Sequence, residues 1–219
     1  MNFDYKTIGQ AGKEAYDYMV ARHEGTIRSL KTGWEKFDKE TLDGLEWHTI
    51  MMVCGMSGSG KTALLNQLET NLYDMNPKEE FISVSNNFEM LARTLMIRKM
   101  STFKQMSMKQ LLSAETDFKL TAKDLAEIQG ELKAMSRYNI FYIDQPKTIA
   151  ELKYIVQQFW LTHKKPMVIS LDHTLLIKRS SSDLNTTDML YNLGEALNEM
   201  KKLYPVIFII ASQLNRDIE

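Results

Sequence analysis

Along the chain, short apolar runs alternate with longer stretches whose apolar residues recur at helical spacing. The short runs fall at residues 50–54, 81–85, 140–143, 167–171 and 206–211, and each reads as a strand. Between them, a helix follows residue 60 and is ended by Asn76-Pro77, and another leads through Arg98. A third runs over residues 121–136, opened by a Thr-x-x-Asp capping pattern. The next begins with the capping box Thr148-Ile149-Ala150-Glu151 and carries an apolar stripe of Ile149, Leu152, Ile155, Val156, Phe159 and Trp160. The last spans about residues 187–203. Strands alternating with helices predict an α/β fold, a parallel sheet with helices on both faces. Ahead of it, residues 4–24 predict an amphipathic helix with Ile8, Ala11, Ala15, Tyr18 and Met19 on or near one face and Gly25 as its stop. That helix either packs on its own domain or links to a neighbouring subunit. Trp34 and Phe37, in the glycine-punctuated approach to the first strand, read as packing anchors.

One stretch breaks the alternation. The first apolar run passes into Gly55-Met56-Ser57-Gly58-Ser59-Gly60-Lys61-Thr62, which has the spacing of a P-loop. Gly58 and Gly60 let successive backbone N–H groups turn inward as a nest for anionic oxygen, and the helix that follows adds its positive end. Lys61 is placed to reach the β- and γ-phosphates of ATP, and the Thr62 hydroxyl to coordinate Mg²⁺. Gly55, Ser57, Gly58, Ser59, Gly60, Lys61 and Thr62 are therefore the expected nucleotide-binding set.

Composition narrows the classes. A 44% hydrophobic chain of 219 residues can bury one sizeable core, and 27 basic against 28 acidic residues leave no bulk positive charge to draw it to nucleic acid. A nucleic-acid contact must then be local or built by assembly. Cys54 is the single cysteine, which excludes an internal disulfide; it is expected to be buried in the first strand and inert. No run is long enough for a membrane span, the N-terminus lacks a signal-peptide core, and a soluble, cytoplasmic protein is expected. His23, His48, His163 and His173 show no metal-ligand spacing, so no zinc site is expected.

In a parallel sheet, ligands bind beyond the carboxyl ends of the strands, and polar residues stand at those ends here. Asp172 closes the fourth run and would hold hydrated Mg²⁺, or cap the next turn. Glu89 follows the second run and would polarise the attacking water, or serve as a first-turn glutamate favoured by a helix dipole. Gln213 follows the fifth and would hydrogen-bond the γ-phosphate, or be a turn residue.

The series Thr32-Gly33-Trp34, Asp38, Gly44-Leu45, the P-loop, Phe88-Glu89-Met90, Leu171-Asp172-His173 and Ser212-Gln213-Leu214-Asn215-Arg216 resembles the RecA-like ATPase domain of replicative DNA helicases of the DnaB type. The resemblance runs from Thr32 to the end and implies a division into a linker helix and approach segment, 1–31, and an ATPase domain, 32–219. It implies a RecA-like P-loop NTPase core and catalytic roles for Lys61, Glu89 and Gln213. Thr62 and Asp172 would bind the metal. By the same resemblance, ATP is hydrolysed between the subunits of a homo-hexamer that translocates on single-stranded DNA and unwinds duplex, with a helicase loader and a primase as partners. Lys178 and Arg179 fall where the family places a loop facing the DNA channel; a solvated polar loop is the alternative.

Three departures shape the expectation. Where the family usually has Ser-Leu-Glu-Met, this chain has Ser85-Asn86-Asn87-Phe88-Glu89-Met90, which implies a longer catalytic loop. Asp172-His173-Thr174-Leu175-Leu176 replaces a more polar segment. The chain ends at Glu219, ahead of the family's arginine finger and main DNA-contact motif, so a truncated core that binds nucleotide and turns it over weakly is expected. A recombinase- or clock-type ATPase on the same core, and a non-catalytic nucleotide-binding module, are the alternative readings.

Overall fold

The computed structural model describes residues 5–115, 119–172, 174, 177–178 and 185–213. Five strands form one parallel sheet: β1 (Ile50–Gly55), β2 (Ile82–Asn87), β3 (Ile140–Ile143), β4 (Met167–Asp172) and β5 (Val206–Gln213), in the order β1-β5-β4-β2-β3. The helices are α1 (Ile8–His23), α2 (Glu35–Glu40), α3 (Lys61–Met75), α4 (Ala92–Lys104), α5 (Met108–Leu112), α6 (Ala122–Met135), α7 (Ile149–His163) and α8 (Thr186–Leu203).

Strand side chains alternate between the two faces, and each face has its own core. On one side, Ile82, Val84, Met167, Ile169, Leu171, Val206, Phe208 and Ile210 meet Leu152 and Val156 of α7 and Met189, Leu193, Leu197 and Met200 of α8. The apolar stripe foreseen on α7 is this contact; its Ile149, Ile155, Phe159 and Trp160 pack half-buried at the margin. On the other side, Phe81, Val168, Ile207, Ile209 and Ala211 meet Leu65, Leu68 and Leu72 of α3, with Leu30 and Leu45 joined by a two-residue antiparallel bridge. Trp34 and Phe37 meet each other edge-to-face and pack half-buried against this second core, as anchors. Each fully buried Leu, Ile or Phe contributes about 1.5–3 kcal/mol, so both faces of the central strands are held firmly.

The α3 side of the sheet turns polar toward the carboxyl ends. Alternation puts Ser83, Ser85, Asn87, Ser170 and Asp172 beneath α3, all but Ser170 fully buried. The Ser170 hydroxyl donates to that of Ser85 at 3.1 Å, and Asn87 Nδ2 donates to the same Ser85 oxygen at 3.1 Å. A sheet interior is normally apolar, so this polar layer beneath α3 singles out a candidate site.

The structure corrects several sequence expectations. Asn86 and Asn87 lie in β2, paired with Leu171 and Asp172 of β4, so the two extra residues lengthen the strand and not the catalytic loop. Cys54 is exposed. Its strand stands at the end of the sheet, and Met52 and Cys54 point to the same face as Ile50, the face of α7 and α8, where the cover is incomplete and Met52 is 60% exposed. The short helices α2 and α5 escaped prediction because six and five residues carry too little periodicity. Helix α1 has no buried residue, and Ile8 is 94% exposed. Its C-terminal end is fastened by Arg22, which donates to Ser29 Oγ at 2.9 Å and to the Leu42 carbonyl at 2.8 Å.

Candidate nucleotide-binding site

The cradle forms where β1 stops and α3 starts. Gly58 and Gly60 have φ of 76° and 91°, and Gly60 is the residue immediately before α3; an L side chain at either position would be strained. The loop is exposed, so the backbone N–H groups at the start of α3 are open to an incoming anion. Lys61 Nζ folds back over the loop and donates to the carbonyls of Gly55 and Met56, both at 2.9 Å. Its charge is held by two neutral oxygens at the mouth of the cradle, an arrangement that a phosphate would improve.

Thr62, in the first turn of α3, lines a narrow cleft together with Leu65, Asn66, Glu69, Ser85, Asn87, Leu95 and Asp172. Asp172 is 4% exposed and ends β4, beside Asn87 of β2 and Ala211 of β5. A threonine hydroxyl, a carboxylate and neighbouring amide and hydroxyl oxygens are hard donors of the kind Mg²⁺ takes, and the residues present fit that ion. Across the sheet, Gly55 at the root of the cradle pairs in register with Gln213. The P-loop, Asp172 and Gln213 thus lie on three adjacent strands, at one end of the sheet.

Glu89 is placed differently. It lies two residues beyond β2, exposed, between buried Phe88 and the start of α4, and it does not line the Thr62–Asp172 cleft. Lys178 is exposed; its backbone N–H donates to the Lys147 carbonyl at 3.0 Å, which sets it beside the N-terminus of α7. Arg179 lies outside the described residues, as do His173, Leu175, Leu176 and the segment from Leu214 onward. Of the altered stretch after Asp172, Thr174 is buried, and its hydroxyl donates to Ser212 Oγ at 3.3 Å.

Sequence reasoning missed three groups near the site. Asp144, just past β3, accepts from the Ala92 N–H at 3.0 Å and so caps α4 from a distance of 52 residues. Glu69 and Lys99 form a buried ion pair at 3.1 Å. The signal for the pair was present, since Glu69 interrupts the apolar series Leu65, Leu68, Leu72 on α3, and Lys99 stands four residues after buried Leu95 on α4.

With this geometry in hand, comparison with known proteins is decisive at the level of family. Residues 29–219 match the family model for the DnaB-like helicase C terminal domain. The chain belongs to that family. Among curated relatives, the replicative DNA helicase DnaB of Buchnera aphidicola subsp. Acyrthosiphon pisum (strain APS) is 22% identical over 202 residues, 91% of this chain and 42% of the relative. The DnaB of Pasteurella multocida (strain Pm70) is 23% identical over 199 residues, 90% of this chain and 41% of the relative. The chain therefore spans about two fifths of the length of the curated DnaB relatives it matches. A solved DnaB-like replicative helicase, described with its interactions with primase, superposes with a TM-score of 0.80 over 97% of this chain and 49% of that one, at 19% identity. A solved ATPase domain superposes equally well, with a TM-score of 0.80, over 97% of this chain and 73% of that one at 18% identity. The fold is thus the RecA-like fold of DnaB helicases, with a parallel sheet between helices. No helix among the described residues is long and apolar enough to cross a membrane.

Proposed function

We propose that this DnaB-family domain is the ATP-driven motor of a replicative DNA helicase. ATP and Mg²⁺ bind at the P-loop, and hydrolysis drives movement along single-stranded DNA. The observation that carries the reading is the shared cleft of Thr62 and Asp172 at the foot of a loop capped by Lys61. In this reading, the N–H groups of residues 57–62 and the Lys61 ammonium hold the triphosphate, with Gly55, Ser57, Gly58, Ser59 and Gly60 shaping the loop. Thr62 and Asp172 hold Mg²⁺, which when bound supplies charge neutralisation on the phosphate oxygens. Glu89 takes a proton from the attacking water, and Gln213 hydrogen-bonds the terminal phosphate.

The wider assignment follows the relatives. The domain would act in a cytoplasmic homo-hexamer with ATP at the interfaces, single-stranded DNA in the channel near Lys178 and Arg179, and a primase and a loader as partners. Residues 1–31 would be the linker segment and 32–219 the ATPase domain. Sites completed by a neighbour would leave the isolated 219-residue chain weakly active, with specific activity rising with protein concentration.

The test is nucleotide binding and turnover in parallel. Lys61→Ala should weaken binding of a fluorescent ATP analogue by roughly ten- to a hundredfold, the equivalent of about 1.5–3 kcal/mol. Asp172→Asn should remove the Mg²⁺ dependence of that binding. Glu89→Gln should leave binding intact and lower turnover by about 10²–10⁴-fold. The exposed position of Glu89 outside the cleft favours a second reading, a nucleotide-binding module without turnover. Binding with no hydrolysis at any protein concentration would select it.

A further inference from the structure

The segment that carries Glu89 runs straight into α4, whose first residue is Ala92. Wherever α4 sits therefore sets where Glu89 can reach. Apolar packing does little to fix that helix. Of its 13 residues three are buried, Leu95, Lys99 and Met100, and one of the three is a lysine. Grooves flank it, one of about 540 Å³ toward Leu64 and Gln67 of α3 and one of about 260 Å³ toward Leu132 and Tyr142.

Polar contacts replace the missing packing. Lys99 Nζ lies 3.1 Å from Glu69 Oε2, with side chains only 6% and 9% exposed, and donates to the Asn66 carbonyl at 2.6 Å and the Thr70 hydroxyl at 2.7 Å. All three partners are on α3, the helix that begins at Lys61. Glu69 in turn accepts from the Tyr142 hydroxyl of β3 at 2.7 Å and lines the cleft that holds Thr62 and Asp172. Asn66 also donates to the Leu95 carbonyl of α4 at 3.3 Å.

Removing two charges from water costs about as much as their attraction returns, and apolar replacements of similar volume are commonly as stable. Stability alone therefore gives no reason for this pair. What it supplies is register, because a shift of α4 along α3 would part a buried ammonium from its three oxygens and leave a buried carboxylate with the Tyr142 hydroxyl in place of a cation, whereas apolar side chains would tolerate several alignments. We infer that Glu69 and Lys99 are positioning residues that lock α4, and through it the Glu89 turn, to the phosphate-binding helix. The inference rests on the role proposed for Glu89 in its effect on turnover; the placement of α4 stands independently of that role.

The experiment compares the 219-residue chain with the double variant Glu69→Leu with Lys99→Met, using Glu89→Gln as a separate control. Thermal melting, binding of a fluorescent ATP analogue with Mg²⁺, segment-resolved amide hydrogen exchange and ATP turnover are measured on each. The double variant should melt within a few degrees of the parent and bind nucleotide within about threefold of it. Exchange over residues 88–104 should quicken by at least roughly tenfold while α8 keeps its protection. Turnover should fall by about tenfold or more at similar KM. Unchanged exchange over 88–104 would overturn the inference. So would equal loss of protection in α8, the mark of a purely structural pair. Should the double variant fail to fold, Tyr142→Phe removes one bond to Glu69 without stranding a charge, and it should quicken exchange in the same segment by about threefold; no change there would again overturn the inference. A Glu89→Gln protein with parental turnover would instead remove Glu89 from its role and leave the locking of α4 intact.

Discussion

Gly44 is the residue at which the smallest change meets the most resistance. Its φ is 125°, and a Cβ built there would lie 2.2 Å from the carbonyl oxygen of Leu30, the residue whose backbone exchanges two 2.8 Å hydrogen bonds with Leu45. The obstacle is backbone and cannot rotate away. Gly44→Ala should therefore cost about 2 kcal/mol or more in urea unfolding, well beyond an ordinary surface change. A variant as stable as the parent would show that the Leu30–Leu45 bridge is expendable. At this scale the sequence was legible where chemistry is carried by a local run: Gly58, Gly60, Lys61 and Thr62 could be placed from spacing, because a P-loop is built from consecutive residues. Cys54 was misread for the opposite reason. Its exposure depends on β1 ending the sheet, which no neighbouring residue announces.

Helix ends show the same division. Four helices open on capping boxes, with Thr7, Ser107, Thr121 and Thr148 as the caps, and the last two were readable as patterns. In two of them the reciprocating acid has a perturbed carboxyl. Asp124 is held well below the usual carboxylate range, first by Lys104 and then by Thr121; Glu151 is lowered by the Thr148 N–H and hydroxyl. Because the folded values are depressed, each carboxylate adds stability that is complete above its unfolded value and lost as pH falls through the folded one. Acidification below about pH 5 should therefore fray α6 and α7 at their first turns, and Asp124→Asn should flatten that response in α6. Segment-resolved hydrogen exchange against pH measures it; an α6 response identical in Asp124→Asn would reject the cause given. Helix α4 escaped the same reading. Its cap, Asp144, arrives from beyond β3, and its anchor is an ion pair with α3, so neither is visible in the local sequence.

For the whole molecule, alternation of strand and helix foretold the parallel sheet; of the residues read from the strand tips, the P-loop, Asp172 and Gln213 stand on three adjacent strands, while Glu89 lies outside the Thr62–Asp172 cleft. The order of the strands was not legible, because it is set by which faces α3, α7 and α8 cover once folded. Charge behaves likewise: with 27 basic and 28 acidic residues, a DNA contact must come from placement of a few groups. If Lys178 and Arg179 face the strand, the pair of changes Lys178→Ala and Arg179→Ala should lower the slope of log affinity against log salt by about 0.7 per lost phosphate contact for single-stranded DNA. A titration at several salt concentrations decides it, and an unaltered slope would move the DNA elsewhere.

The pairing of β1 with β5 also governs when the molecule can become competent. Gly55 finds its partner at Gln213, more than 150 residues later in the chain. During synthesis, the strand that roots the candidate phosphate loop must wait, unzipped on the side of β5, until residues 206–213 have emerged. Closing so long a loop delays folding more than it weakens the folded state. A nascent chain halted before the fifth strand would thus have every residue of the glycine loop in hand and no partner for the strand that roots it.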